Sequence, residues 1–152
     1  MERDHALALL LRQADRRVTA RLSALLTSRG SSVEQWHVLS YLSDGAGRAM
    51  SEIGAVVMLP PPTMSKLVDA MVALNLVYRR ADARDRRRVL VFLTARGSSL
   101  HRGLSLAVEQ QEAQLQELHG TDELVALTSH LASLISRLDA AELLPAEVPA
   151  RT

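Results

Sequence analysis

Along the amino end of the chain, Leu7, Leu10, Leu11, Ala14, Val18, Leu22, Leu25 and Leu26 recur at helical spacing, and Gly30 follows as a stop. Ser32 and Gln35 have the spacing of a capping box, which opens a helix carrying Trp36, Val38, Leu39 and Leu42. The segment DGAGR, 44–48, reads as a turn, and Ser51 as the N-cap of a short helix from Glu52 to about Val57. In LPPPTMSKLVDAMVAL, 59–74, each proline pushes the preceding residue out of the α region, so Pro62 is the expected first helical position. Beyond it Met64, Leu67, Val68, Met71 and Leu74 share one face, while Thr63, Ser65, Lys66, Asp69 and Ala70 occupy the other. Two strands are predicted next, Leu76 to Arg79 and Val89 to Leu93, joined by the charged loop ADARDRR. Thr94 caps a long helix with Leu100, Leu104, Ala107, Val108, Leu115 and Leu118 as its stripe, and Gly120 ends it. Thr121 starts the last helix, with Asp122 and Glu123 in its first turn and a stripe of Leu124, Leu127, Leu131, Leu134, Ile135 and Leu138.

A short helix, a tight break, a second amphipathic helix and then a basic hairpin make a winged helix. The predicted fold class is therefore mainly α: a winged helix-turn-helix with a two-stranded β-wing, and a helical dimerisation region formed by the N- and C-terminal helices. One domain is expected over residues 1–144, with leucine-rich helices at 1–30 and 98–142 for dimerisation and the winged helix-turn-helix lobe at 32–97. The ending LPAEVPART has prolines and no periodicity, and residues 145–152 are expected to be a disordered tail. Three leucine-rich helices at the two chain ends carry more apolar surface than a small winged-helix core covers, which points to a partner.

Composition narrows the function. Apolar residues make up 47% of the 152 and aromatics only 3%, which favours helices. There is no cysteine, so disulfides, thiolate metal sites and thiol redox switches are excluded. The five histidines, His5, His37, His101, His119 and His130, lack ligand spacing, and no metal or cofactor is expected. No Gly-rich phosphate loop and no nucleophile with its base is found, so an enzyme is not expected. The apolar run Ala6 to Leu11 is too short for a membrane span or signal core, which suggests a cytoplasmic protein.

The formal net charge is only +1, yet residues 79–98 hold 7 Arg and 2 Asp. The flanking segments are close to neutral, 8 basic against 7 acidic residues in 1–78, or acidic, 3 against 8 in 99–152. A single basic spot on such a body suggests a localised polyanion contact.

At EQWHVLSYL, SKLVDAMVALNLVYRR and DARDRRRVLVFLTARG the sequence resembles the MarR family of bacterial transcription regulators, over nearly its whole length. The last stretch contains the family's D-x-R-x-x-R wing signature as Asp82, Arg84 and Arg87, then L-T-x-x-G as Leu93, Thr94 and Gly97. Two departures stand out: Met58 where the family usually has Gly, and Pro60 to Pro62 where a polar residue often leads into the recognition helix. Proline offers no N–H to a phosphate.

The resemblance implies a homodimer whose end helices interleave, with the recognition helix in the major groove and the wing reaching towards the minor groove. Its operator would be a pseudo-palindrome with half-sites about 10 base pairs apart. The expected DNA contacts are Pro62, Thr63, Ser65 and Lys66 on the recognition helix and Arg84, Arg86, Arg87 and Arg88 on the wing, Arg86 as the inserted side chain. Asp82 and Asp85 are expected to pair with wing arginines, and Asp69 with Arg84 or Arg87. The family also implies a repressor released by a small aromatic or phenolic anion, for which Arg12, Arg16 and Arg17 with Trp36 and His37 are candidate contacts. Trp36 reads as a core residue as well. A ligand-independent regulator, whether activator or constitutive repressor, and a winged helix used for protein–protein contact are the alternatives.

Overall fold

The computed structural model of the chain describes residues 2–142. The tail expected at 145–152 lies outside the described residues. Six helices and three strands run in the order α1 (Glu2–Ser28), α2 (Val33–Tyr41), β1 (Arg48–Ala49), α3 (Met50–Val57), α4 (Pro61–Ala73), β2 (Val77–Ala81), β3 (Val89–Leu93), α5 (Ala95–His119) and α6 (Thr121–Glu142). The chain forms two compact units, residues 1–109 and 110–152, and the division falls inside α5.

Local chemistry sets most boundaries in the first unit. Gly30 takes φ 72° just past α1, where glycine is free to turn left-handed. Both bonds of the Ser32 capping box form: the Gln35 N–H donates to Ser32 Oγ at 3.2 Å, and the Ser32 N–H to Gln35 Oε1 at 3.2 Å. Thr94 Oγ1 accepts from the Gly97 N–H at 3.0 Å and donates to the Asn75 carbonyl at 2.6 Å. One hydroxyl thus caps α5 and ties it to the α4–β2 turn.

The core joins Leu26 of α1, Val38, Leu39 and Leu42 around α2, Ile53 and Val57 of α3, and Met64, Val68 and Met71 of α4. Leu76, Val77, Val91 and Leu104 close it from the sheet and α5. In the sheet β3 is central and antiparallel to both neighbours, with Arg79 opposite Val91 and Arg80 opposite Leu90.

Three local expectations are corrected. The hairpin gains a third strand, because Arg48 and Ala49 pair with Val91 and Leu90. That pairing holds Ala49 extended at φ −71°, ψ 153°, so Ala49 and not Ser51 is the N-cap of α3. Alanine has no acceptor to offer, and Glu52 supplies the cap from inside the helix, accepting the Ala49 N–H at 2.6 Å. In α4 the first helical residue is Pro61, one before the expected Pro62. Pro60, at φ −58° and ψ 147°, absorbs the extended conformation required before a proline, and two prolines then share the first turn.

The far end of α1 and the second unit have another character. Leu7, Leu9, Leu10, Leu11 and Val18 of α1 are exposed, and so are Val125, Leu127, Ile135 and Leu138 of α6. Each helix displays an apolar stripe that nothing among the described residues covers.

Candidate nucleic-acid interface

The site begins with the sorting of α4 between core and solvent. Met64, Val68 and Met71 are buried, which leaves Pro61, Pro62, Thr63, Ser65, Lys66, Asp69 and Ala70 exposed on the other side. The polar positions expected to meet DNA are therefore on one outward face. Ahead of them the α3–α4 turn rests on Met58, which takes a left-handed φ of 54° and is 87% exposed.

The wing beside α4 is built by its aspartates through the backbone. Asp82 Oδ1 accepts from the Arg84 N–H at 2.9 Å, and Asp85 Oδ1 from the Arg87 N–H at 3.0 Å. These are two successive Asx turns. The Asp82 N–H also donates to the Arg88 carbonyl at 2.8 Å, and the Arg88 N–H to the Asp85 carbonyl at 2.9 Å. Asp82 and Asp85 bind loop amides rather than the arginine side chains expected for them. A carboxylate two residues before an amide satisfies it locally, and no long side chain need be ordered.

The six arginines from 79 to 88 divide into two sets. Arg79 pairs with Asp69 of α4, Nη2 to Oδ1 at 2.7 Å, so the wing ion pair of Asp69 falls to Arg79 and not to Arg84 or Arg87. Arg80 lies over the Phe92 ring, 4.4 Å from its centroid, and that ring stacks in turn on Tyr78. Arg88 pairs with Glu52 at 2.9 Å and ties β3 to α3. The Glu52 carboxyl sits below the usual carboxylate range because it accepts the Ala49 N–H and, secondarily, the Arg88 guanidinium. Among the described residues Arg84, Arg86 and Arg87 have no ion pair, and all three are exposed. Glu52 escaped the sequence reading because it becomes the third helical residue only if α3 begins at Met50.

The residues considered for a small ligand are not gathered. Arg12, Arg16 and His37 are exposed, and Trp36 is half-buried against the core and stacked on His101, with ring centroids 5.1 Å apart. Burial holds the His101 imidazole below its usual pKa. A hollow of about 380 Å³ along α1 is lined by Gln13, Arg16, Arg17 and Ala20, and by neither Trp36 nor His37. Among the described residues no three acidic or histidine side chains gather to hold a metal ion, and no helix is long and apolar enough to cross a membrane.

Known proteins match this arrangement. The MarR family model matches residues 29–88, which run from the end of α1 to the wing. The HTH-type transcriptional regulator FarR of Neisseria gonorrhoeae is 22% identical over 128 residues, covering 84% of this chain and 88% of that protein. Among solved structures, the transcriptional repressor CouR bound to a 23-mer DNA duplex superposes with a TM-score of 0.79 at 27% identity, over 88% of this chain and 95% of that one. NadR in complex with 4-hydroxyphenylacetate superposes at 0.75 and 21% identity, over 84% and 91%. At that identity the likeness is one of fold.

Proposed function

This chain belongs to the MarR family of winged helix-turn-helix regulators, and on that premise we propose that it is a sequence-specific, double-stranded DNA-binding transcription regulator acting as a cytoplasmic homodimer. One observation carries the reading. Three arginines with no ion pair among the described residues stand at the tip of a hairpin whose other arginines are engaged, beside a helix with an outward polar face. In such a complex Thr63, Ser65 and Lys66 approach base edges and phosphates in the major groove. Arg84, Arg86 and Arg87 approach the minor groove, where a narrow groove concentrates negative potential. The apolar stripes of α1 and α6 supply the surface for a second copy, as a two-fold dimer requires.

Repression is the sign of regulation we favour, since CouR is a transcriptional repressor. Release by a small aromatic anion fits a fold of which NadR, in complex with 4-hydroxyphenylacetate, is an example. Arg12 and Arg16 are exposed on α1, and in this reading a second protomer closes them into a pocket. The protein is a regulator and not a catalyst in this proposal.

Binding of the purified protein to the DNA immediately upstream of its own gene, titrated in salt against an unrelated fragment, tests the proposal. A preference that survives at about 150 mM salt is the expected result, because only the phosphate contribution is screened away. Equal and steeply salt-sensitive binding to the two fragments, together with no site enriched from a randomised duplex library, would overturn it.

A further inference from the structure

The start of α4 is chemically unusual for a helix that meets DNA. Such a helix ordinarily offers the free amides of its first turn to phosphate or base acceptors. Here Pro60 is the cap and Pro61 and Pro62 are the first two helical residues, so three successive amides are missing. The first intrahelical bond runs from the Met64 N–H to the Pro60 carbonyl at 2.9 Å.

Carbon takes the place of those donors. Pro60, Pro61 and Pro62 are all exposed, whereas Leu59, in the same turn, packs against the core. Met58 points the same way chemically. It accepts a left-handed backbone that glycine adopts at no steric cost, and its side chain is 87% exposed. Among the described residues no packing covers Met58, and the three proline rings stay exposed beside it. Thr63 adds a methyl beside the prolines, and Ser65 and Lys66 follow as polar contacts on the same outward face.

In the major groove the apolar group that carries sequence information is the C5-methyl of thymine. The leading residues of a recognition helix are those that reach base edges. We propose that Pro61 and Pro62 read thymine C5-methyl groups in each half-site and are specificity-determining residues of the DNA surface. The inference rests on the reading of the chain as a sequence-specific DNA-binding protein and names what its recognition helix selects.

The experiment starts by letting the wild-type protein enrich sites from a randomised duplex library. Each thymine of the enriched half-site is then replaced singly by uracil, which keeps the base pairing and removes only the methyl. One or two positions per half-site are expected to lose about 3- to 10-fold in affinity, the scale of burying one methyl group. Alanine is a good helix former, so the double variant P61A/P62A should keep its helix content. Its thymine-over-uracil preference is expected to shrink to within about twofold, by the same one-methyl reckoning. If sites are enriched but every uracil substitution is neutral in the wild-type protein, this inference fails and the DNA-binding reading stands. A preference unchanged in the double variant also overturns it, by assigning the methyl contact to other residues. Failure to enrich any site would overturn the DNA-binding reading, and the inference with it.

Discussion

Two glycines of α5, Gly97 and Gly103, should respond to alanine with opposite signs. Glycine inside a helix costs about 0.5–1 kcal/mol relative to alanine, so each substitution starts from the same gain. At Gly103 an added Cβ meets no heavy atom within 4 Å, and the gain is realised. At Gly97 the Cβ would stand 2.0 Å from the Leu76 carbonyl oxygen and 3.0 Å from its carbon. Both are backbone atoms and cannot swing aside. That oxygen also accepts the Thr94 N–H at 3.0 Å, and Leu76 is buried in the core. Relieving the clash means moving α5 off the start of β2. Overpacking costs about 1–3 kcal/mol and the weakened hydrogen bond about 1 kcal/mol. After the helix gain, G97A should lose about 1–3.5 kcal/mol.

Thermal unfolding followed by far-UV circular dichroism reads both variants at one fixed protein concentration, because association raises the apparent Tm. G103A is expected to melt about 1–4 °C above wild type and G97A about 2–14 °C below it. Wild-type stability in G97A, or an inverted order of the pair, would refute the reasoning. The close approach of α5 to β2 would then not be what requires glycine at this position.

Ile135 on α6 is exposed, so Ile135→Asp should leave secondary structure unchanged in this chain and turn a dimer into monomer at micromolar concentration; a dimer that persists by light scattering counts against α6 as an interface. Trp36 is the single tryptophan and stacks on His101, whose pKa is lowered by burial. The stability that goes with neutral His101 is therefore complete above about pH 6.5, the unfolded value, and is lost as pH falls through the lower folded value. Protonation should quench Trp36 emission only below about pH 6.5, and His101→Phe should abolish the step; a midpoint at or above that value contradicts the burial argument.

What was legible in the sequence is what adjacent residues decide. Ser32 with Gln35, Gly30 and Thr94 act on amides within three residues, and the structure has each where spacing put it. β1 was not legible. Two residues, Arg48 and Ala49, carry no periodicity, and they are a strand only because β3 arrives beside them from far along the chain. The misplaced start of α3 follows from the same pairing, since an extended Ala49 leaves Ser51 inside the helix. The proline run was readable as a break, but the rule for residues before proline put the helix start one position late. A cap at Pro60 lets Pro61 enter first.

The arginine cluster shows how far counting reaches. Composition reveals that the wing is basic but not which charges are spare, because the partners are distant in sequence: Asp69 for Arg79, Glu52 for Arg88, the Phe92 ring for Arg80. The division follows the ladder. Where β2 and β3 are paired, up to Ala81 opposite Val89, and at Arg88 next to that pair, the arginines are engaged; in the Asx turns between, Arg84, Arg86 and Arg87 have no ion pair among the described residues. This has a measurable consequence. Each phosphate neutralised on B-DNA adds about 0.9 to the slope of log affinity against log salt, so the free tip should contribute about 3 per protomer and the engaged base much less. Replacing Arg84, Arg86 and Arg87 together by alanine should therefore flatten the salt dependence far more than replacing Arg79, Arg80 and Arg88. Equal flattening by the two triple variants would mean that the pairs at the base of the wing open on DNA, and that all six arginines act as one undivided charge.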